Sequence, residues 1–216
     1  MEIDIGREQR ERSPELERQE RARAQETLRR MARARDEGAI KRWLILAPIP
    51  LGPLQSGAEG LDVEQIGGEA RLRPADGETR AIAGGRLKWK EVVMDDYVID
   101  FNAILGHETT QSVAYALCYI RSEAPQGDLR MTVGSDDEAK VYLNGNQIYK
   151  CVSARPFLAD QDWMSHVALN AGLNVLVFKV VNEKFDWRGS IRFSDAHAAP
   201  VKGIKVTLDP EAKDSP

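Results

Sequence analysis

Long hydrophobic runs are absent from this chain of 216 residues. No stretch of 18 consecutive apolar residues occurs, so no membrane-spanning helix is predicted. The beginning of the chain, MEIDIGREQRERSPEL, has no apolar signal segment, which predicts a cytoplasmic location for the chain as written and leaves the location open for a piece of a longer protein. The formal net charge is only −4 and no basic stripe is present, which argues against nucleic-acid binding.

Cysteine and histidine are scarce as well. The two cysteines, Cys118 and Cys151, are too few for a disulfide framework and lack the paired spacing of a zinc site. Their positions leave open whether they pair. The three histidines lie far apart, and neither a G-x-S-x-G turn nor an H-E-x-x-H helix occurs. We therefore predict no catalytic residues and expect that the protein is not an enzyme.

The first structured element that the sequence predicts is a long charged helix at residues 13–41. Ser13 can cap the free backbone N–H groups, Pro14 suits the first helical position, and Gly38 suits the position just after the last turn. Residues 1–12 are polar and are predicted to be disordered or frayed.

Apolar residues are few along this helix. Leu16, Ala24, Leu28 and Met31 form a stripe that is too thin for a core helix. Three interpretations stay open: an exposed spacer, a short coiled-coil arm through which two chains associate, or a helix that docks on the following domain.

Residues 42–208 have a different pattern. Short apolar segments recur at intervals of roughly ten positions with turn residues between them, which is typical of an all-β sandwich. In DLRMTVG, Leu129, Met131 and Val133 alternate with polar residues, so one face of this strand is expected in the core. Asn144-Gly145 is a strong hairpin signal, because a type I′ turn needs positive φ at both central positions.

Within this domain, residues 52–85 are rich in glycine and charge and are predicted as a long loop with short strands at 69–73 and 79–82. The segment 173–181, LNVLVFKVV, is nearly all apolar and is predicted as a central strand covered on both faces. Residues 209–216 are predicted to be a disordered tail. Further strands are predicted at 87–93, 97–101, 112–120, 128–134, 139–143, 146–152, 163–169, 187–193 and 202–208.

Several of these segments, namely RWLILAPIP, WKE, SVAYALCYI, GSDDEAKVYLNGNQIY, LNAGLNVLVFKVVNE and WRGSIRF, together resemble a galactose-binding-like jelly-roll domain. This β-sandwich is an accessory module of glycoside hydrolases and of multidomain proteins of planctomycete-type bacteria. The resemblance covers residues 43 to about 208 and implies a jelly-roll sandwich after the charged helix. It does not imply a ligand, since some relatives bind sugars and many have no known ligand. The chain departs from the family at residues 47–50, which read A-P-I-P where G-P-F-P is usual.

A narrower segment, SDD before a strand and hairpin, is similar to the PA14-type lectin domain. In that family an Asp-Asp pair, sometimes joined by a cis peptide, binds a calcium ion that in turn grips sugar hydroxyls. The resemblance therefore implies calcium as a cofactor, with Asp136 and Asp137 as its ligands, since calcium prefers carboxylate oxygens. Two alternatives stay open: the pair caps the turn by accepting backbone N–H bonds, or it forms salt bridges, for example with Arg130 or Arg192.

The loop RPFLADQDW, residues 155–163, is the segment that we expect to line a binding face. It places Phe157, Asp160, Asp162 and Trp163 near strand ends, where an aromatic ring can stack on a sugar and carboxylates can bind hydroxyls. Trp43 and Trp89 are expected to be structural.

The sequence thus predicts a non-catalytic binding module with carbohydrate as the leading ligand class. The alternative is a structural or protein-interaction module, in which the helix at 13–41 mediates self-association or binds a protein partner. Neither hypothesis involves nucleic acid or a membrane.

Overall fold

The computed structural model describes residues 14–53 and 55–211. Within this part, a long helix precedes two packed antiparallel β-sheets, which confirms the predicted all-β sandwich with an N-terminal helix. The predictions for residues 1–12 and for the end of the tail, 212–216, lie outside the described residues. No helix of the described part is long and apolar enough to cross a membrane.

Helix α1 (Pro14–Gly38) carries mostly charged side chains, and those described between residues 18 and 37 are all exposed. Among the side chains of this helix that the structure describes, those near the sheets lie at its end, where a Cβ on Gly38 would be 2.7 Å from the backbone oxygen of Phe193. It therefore does not pack along the sandwich, which favours the spacer or the self-associating arm over the docked helix.

The larger sheet has seven strands in the order β4-β1-β6-β11-β8-β9, with β13 also paired to β6. The smaller sheet has the order β10-β7-β12-β5, and β2 and β3 form a separate hairpin. Between β6 and β12 the chain crosses repeatedly from one sheet to the other, as in a jelly roll. The strands of the larger sheet are β1 (Arg42–Pro50), β4 (Lys90–Val93), β6 (Ser112–Ser122), β8 (Ala139–Leu143), β9 (Asn146–Cys151), β11 (Gly172–Asn182) and β13 (Ile204–Thr207). The others are β2 (Thr79–Ile82), β3 (Gly85–Lys88), β5 (Ile99–Asp100), β7 (Gln126–Asp136), β10 (Asp162–Leu169) and β12 (Arg188–Ser194).

Apolar side chains from the facing sides of the two sheets form one core. In β7, Leu129, Met131 and Val133 are buried, as their alternation predicts. In β12, Gly189 lets the sheets approach, because a Cβ there would lie 2.6 Å from the Phe178 ring of the facing sheet. The NG hairpin joins β8 to β9 with positive φ at both turn residues, which confirms that prediction.

Strands β6 and β11 are buried on both faces, which confirms the prediction for the apolar segment in β11. Their outer face is covered by residues 55–76, which include the short helix α2 (Gly57–Asp62). Tyr119 donates a hydrogen bond to the Pro74 carbonyl over 2.7 Å, which attaches the far end of this segment to β6. The segment is thus a cover over the large sheet.

A buried ion pair fixes the cover in place. The Lys179 ammonium, fully buried in β11, contacts a Glu69 carboxylate oxygen at 2.9 Å and donates to two backbone carbonyls of the segment 61–63. The hydroxyls of Tyr115 and Tyr142 donate to the same carboxylate, over 2.5 and 2.6 Å. Because both buried charges are paired and hydrogen-bonded inside the protein, these contacts offset the free-energy cost of removing each charge from water.

This ion pair explains one wrong prediction. The strand expected at 69–73 is instead a 3-10 turn at Glu69–Arg71, because the Glu69 side chain turns inward to meet Lys179. The sequence shows a lysine within an apolar strand, but it does not indicate that the partner of this lysine is a carboxylate 110 residues away.

Two other strands differ from their predicted bounds. The segment 97–101 is a strand only at Ile99–Asp100, because helix α3 (Phe101–Leu105) begins directly after it. The Asp100 carboxylate caps this helix by accepting a hydrogen bond from the Ala103 backbone N–H over 2.9 Å. The segment 87–93 is divided at the buried Trp89, before which it pairs with β2 and after which it pairs with β1.

Candidate functional site

The two adjacent carboxylates lie at one end of the sandwich, where β7 ends. Asp136 Oδ2 accepts a hydrogen bond from the Phe157 backbone N–H over 3.2 Å, and Asp137 Oδ2 accepts one from the Glu183 backbone N–H over 2.8 Å. The peptide bond between the two aspartates is cis. Each carboxylate thus holds a different loop against the end of β7. Both accept backbone N–H bonds, as the turn-capping alternative requires, but from residues 157 and 183 rather than from the turn between β7 and β8.

Burial changes the acid strength of this segment. Burial and the neighbouring Asp137 charge raise the pKa of Asp136 to about 6, and burial likewise raises the pKa of Asp137. Burial also raises the pKa of Glu138 to about 7, to which the charges of Glu183 and Asp137 add. Glu138 is 2% exposed, and its Oε2 has no hydrogen-bond partner where it packs against Gly57. The three adjacent acids are therefore held where ionisation is costly.

The loop that precedes β10 crosses the outer face of the small sheet. A Cβ at Gly134 would overlap the Leu158 carbonyl oxygen and lie 2.8 Å from the Phe157 ring, so this loop packs directly on the β7 backbone. Arg155 attaches the loop to β7 through a bond from Nη2 to Ser135 Oγ over 3.0 Å. The structure therefore brings Phe157 to the Asp136–Asp137 pair.

The remaining predicted site residues lie further along the small sheet. Asp160 accepts two bonds from Arg192, each 3.1 Å, and one from Thr132 Oγ1 over 2.6 Å. Trp163 is 61% exposed, and the Arg130 guanidinium lies 5.0 Å from its ring centroid. Because Trp163 pairs with Thr132, it lies four residues, about 13 Å, from the end of β7. The two arginines considered as salt-bridge partners for the aspartate pair have other contacts, since Arg192 binds Asp160 and Arg130 lies over Trp163.

Asp162 belongs to an ionic cluster between β9 and β10. Its Oδ2 contacts Arg155 Nη1 at 2.6 Å and accepts the Tyr149 hydroxyl over 2.6 Å. Burial works against ionisation here, but these two donors hold the pKa of Asp162 below its usual range. The side chain thus orients Arg155, which in turn fastens the loop at the end of β7.

Sequence reasoning missed one exposed aromatic residue in the loop that joins β11 to β12. Phe185 is 77% exposed and has φ +66°, a conformation that costs a bulky side chain about 1–2 kcal/mol. Asn102 Nδ2 donates to its carbonyl over 2.8 Å and holds the loop in this form. The loop starts at Glu183, which Asp137 binds, and ends at Arg188, which is paired with Asp136. The available signal was an aromatic among charged residues in EKFDW.

Arg188 was missed as well. Its guanidinium lies 3.4 Å from an Asp100 oxygen and 3.6 Å from an Asp186 oxygen, and its side chain is 40% exposed. Exposed ion pairs of this kind are weak, so the cation can turn to a ligand at low cost.

A metal ion at this end would need more donors than the two aspartates. Within residues 14–53 and 55–211, no group of three or more His, Cys, Asp or Glu side chains is arranged to hold a metal. Calcium takes six to eight oxygens, so Asp136 and Asp137 supply only part of a set. Carbonyls, waters or sugar hydroxyls would have to complete it.

The other residues singled out in the sequence are structural. Trp43 and Trp89 are buried, as expected, and so is Trp187. Cys118 and Cys151 are both free thiols, the first fully buried in the central strand β6.

No protein-family model matches the chain, and no curated protein matches it. Among solved structures, the chain is similar to a family 35 carbohydrate-binding module from an environmental isolate, with 17% identity over 48% of this chain and 78% of that one and a TM-score of 0.34. It is also similar to the PA14 domain of the antifreeze protein MpAFP, with 12% identity over 82% of this chain and 85% of that one and a TM-score of 0.30.

Proposed function

We propose that the protein is a non-catalytic carbohydrate-binding module, and that its site is the loop end formed by Asp136, Asp137, Phe157, Phe185 and Arg188. The observation that carries the proposal is the exposed Phe185 ring, held in a costly backbone conformation within a loop whose two ends contact the carboxylate pair. Strained residues persist where the surrounding structure enforces them, commonly at functional sites.

The chemistry of this loop end suits a sugar. A flat aromatic ring can stack on the apolar face of a pyranose, while carboxylate and guanidinium groups bind the hydroxyls at its edge. The carboxylates of Asp136 and Asp137 are already oriented by backbone N–H groups, so little rotamer entropy is lost when they accept further bonds. Trp163 offers a second aromatic surface for a longer chain of sugars.

The sugar proposal is tested by a thermal-shift titration with a panel of monosaccharides and oligosaccharides, with and without calcium chloride. We expect one sugar class to raise the unfolding midpoint, because a ligand that binds only the folded state stabilises it by about 2.7 kcal/mol at a hundredfold excess over Kd. Phe185→Ala should lower the affinity at least about tenfold. The exposed Val93, on the distant strand β4, supplies the control Val93→Ala, which should bind normally.

The Asp136→Asn/Asp137→Asn variant separates the roles of the carboxylates. Calcium as a cofactor stays a prediction, and a calcium-dependent shift that this variant loses would establish it. A sugar-dependent shift that survives Phe185→Ala would contradict the loop-end site. If no sugar moves the midpoint while the double variant simply melts at a lower temperature, the carboxylates only hold the two loops and the proposed function is wrong.

A second candidate function, self-association through α1, is favoured by the exposure of Leu28 and Met31, at 65% and 61%. These two residues are three apart and share one helix face. If α1 is a dimerising arm, sedimentation equilibrium should give twice the monomer mass of 24.1 kDa, and Leu28→Glu/Met31→Glu should restore the monomer. Leu158→Glu, at an equally exposed site on the sandwich, is the control. A wild-type monomer at concentrations up to about 100 μM, where even weak interfaces assemble, would exclude this function.

A further inference from the structure

Three arginines line one surface cavity between the cover over the large sheet and the hairpin of β2 and β3. Arg71, Arg73 and Arg80 surround a volume of about 280 Å³, together with the buried Trp89 and the pair Gly67-Gly68. This cavity shares no residue with the loop end that we propose as the sugar site, so it is argued independently of that function.

The local sequence explains why the arginines converge. In Arg71-Leu72-Arg73 the central residue is extended, with φ −60° and ψ 143°, and its side chain is buried. The two flanking arginines are therefore directed away from the core, and both are exposed. Strand β2 then brings Arg80 to the same cavity, where its Nη2 donates to the Gly67 carbonyl.

The charges on the cavity wall are unbalanced. Glu78 is the one acidic residue among its lining side chains, which leaves a net charge of +2. Among residues 14–53 and 55–211, no ion pair joins any of the three arginines to a carboxylate. Each guanidinium carries five N–H donors. Even after its bond to Gly67, Arg80 keeps donors for a ligand.

The cavity is also held rigidly. The 3-10 turn that ends at Arg71 begins at Glu69. Glu69 is held on the side of the sheet by the Lys179 ammonium and by two tyrosine hydroxyls. Space lies open in front of the glycine pair, since a Cβ on Gly67 or Gly68 would meet no atom within 4 Å. An oxygen atom of a ligand can therefore approach the backbone there.

We propose that this cavity, lined by Arg71, Arg73 and Arg80, binds the phosphoryl group of inorganic phosphate or of a phosphate monoester. A dianion neutralises the +2 charge of the wall, and several guanidinium groups match its tetrahedral oxygens with paired N–H donors. Acetate and chloride each carry one charge too few for this wall, and chloride, a single atom, cannot present two oxygens to the parallel N–H donors of a guanidinium.

The test is isothermal titration calorimetry of the full chain with inorganic phosphate, glucose 6-phosphate, sulfate, acetate and chloride at constant ionic strength. We expect saturable binding of phosphate at pH 7.5, with acetate and chloride at least about tenfold weaker. Phosphate should bind more weakly at pH 5, where it gains a proton and loses one negative charge, because its second pKa is about 7 for the free ion and about 6 for a monoester. Sulfate, a dianion at both pH values, should bind equally at both. The ratio of glucose 6-phosphate to phosphate affinity tells an esterified ligand from the free ion.

Matched variants locate the site. Arg71→Gln/Arg73→Gln should weaken phosphate binding at least about tenfold, because each lost charged hydrogen bond is worth that much. Arg86→Gln/Lys88→Gln removes the same charge from the nearby β3, outside the cavity, and should leave the affinity unchanged. Circular dichroism and unfolding midpoints check that both variants fold. Equal losses in the two variants, retained affinity in the first, or chloride binding as tight as phosphate would each overturn the proposal.

Discussion

Replacing Lys179 with methionine is expected to lower the free energy of unfolding by about 3–5 kcal/mol, the typical cost of removing one partner of a buried ion pair. Methionine keeps the apolar length of the side chain but leaves the Glu69 carboxylate without its cation. The two backbone carbonyls of the segment 61–63 lose their donor at the same time. The cover over the large sheet is therefore expected to loosen, and the arginine cavity with it.

Urea unfolding, followed by tryptophan fluorescence, measures this effect. Lys150→Met is the control, because Lys150 pairs with the exposed Asp62 and should cost less than about 1 kcal/mol. The double variant Glu69→Gln/Lys179→Met should recover part of the loss, since a neutral amide no longer needs a cation. Its carbonyl oxygen can still accept one tyrosine hydroxyl, while its NH2 group donates to the oxygen of the other. A loss for Lys179→Met as small as that for the control would show that the buried pair is dispensable.

Stability should also fall as the pH rises, by about 2–4 kcal/mol between pH 5 and pH 8. The pKa of Asp136 is raised to about 6 and that of Glu138 to about 7 in the folded protein. Both groups therefore bind their protons more tightly when folded than when unfolded. Their contribution to stability is fully present below their unfolded pKa values near 4, and is lost as the pH rises through 6 and 7.

Glu138→Gln isolates the larger part of this effect. Its amide is neutral at every pH, so the variant should be more stable than wild type at pH 8, by about 1–3 kcal/mol, and nearly equal to it at pH 5. Urea unfolding at half-unit steps of pH gives the two curves. Asp195→Asn, in an exposed turn, is a control that should run parallel to wild type in this range, because its pKa is lowered rather than raised. Parallel curves for wild type and Glu138→Gln would contradict burial as the cause.

Local signals in the sequence were sufficient for much of the fold. The alternation of Leu129, Met131 and Val133 determines which side of β7 faces the core, because consecutive side chains of a strand point in opposite directions. Asn144-Gly145 determines the β8–β9 hairpin, because both residues tolerate positive φ. In both cases the cause lies within a few residues of its effect.

The candidate sites depend on contacts between distant parts of the chain. Asp136 and Asp137 were recognisable as a pair, but the Phe185 loop reaches them only because β7 and β11 end, and β12 begins, on the same side of the sandwich. In the sequence, Arg71, Arg73 and Arg80 are three charges among many. They surround one cavity only because Glu69 turns inward to Lys179 and because strand β2 brings Arg80 to the same place.

By itself, then, the sequence determined the charged helix, the β-sandwich, its hairpin and the carboxylate pair, since each follows from local periodicity or turn chemistry. Only the tertiary structure decided which aromatic lies beside the carboxylates, which lysine is buried, and where positive charge accumulates. The physical reason is that burial and the pairing of charges are properties of neighbours in space, and residues 69 and 179 become neighbours only when the cover closes over the sheet.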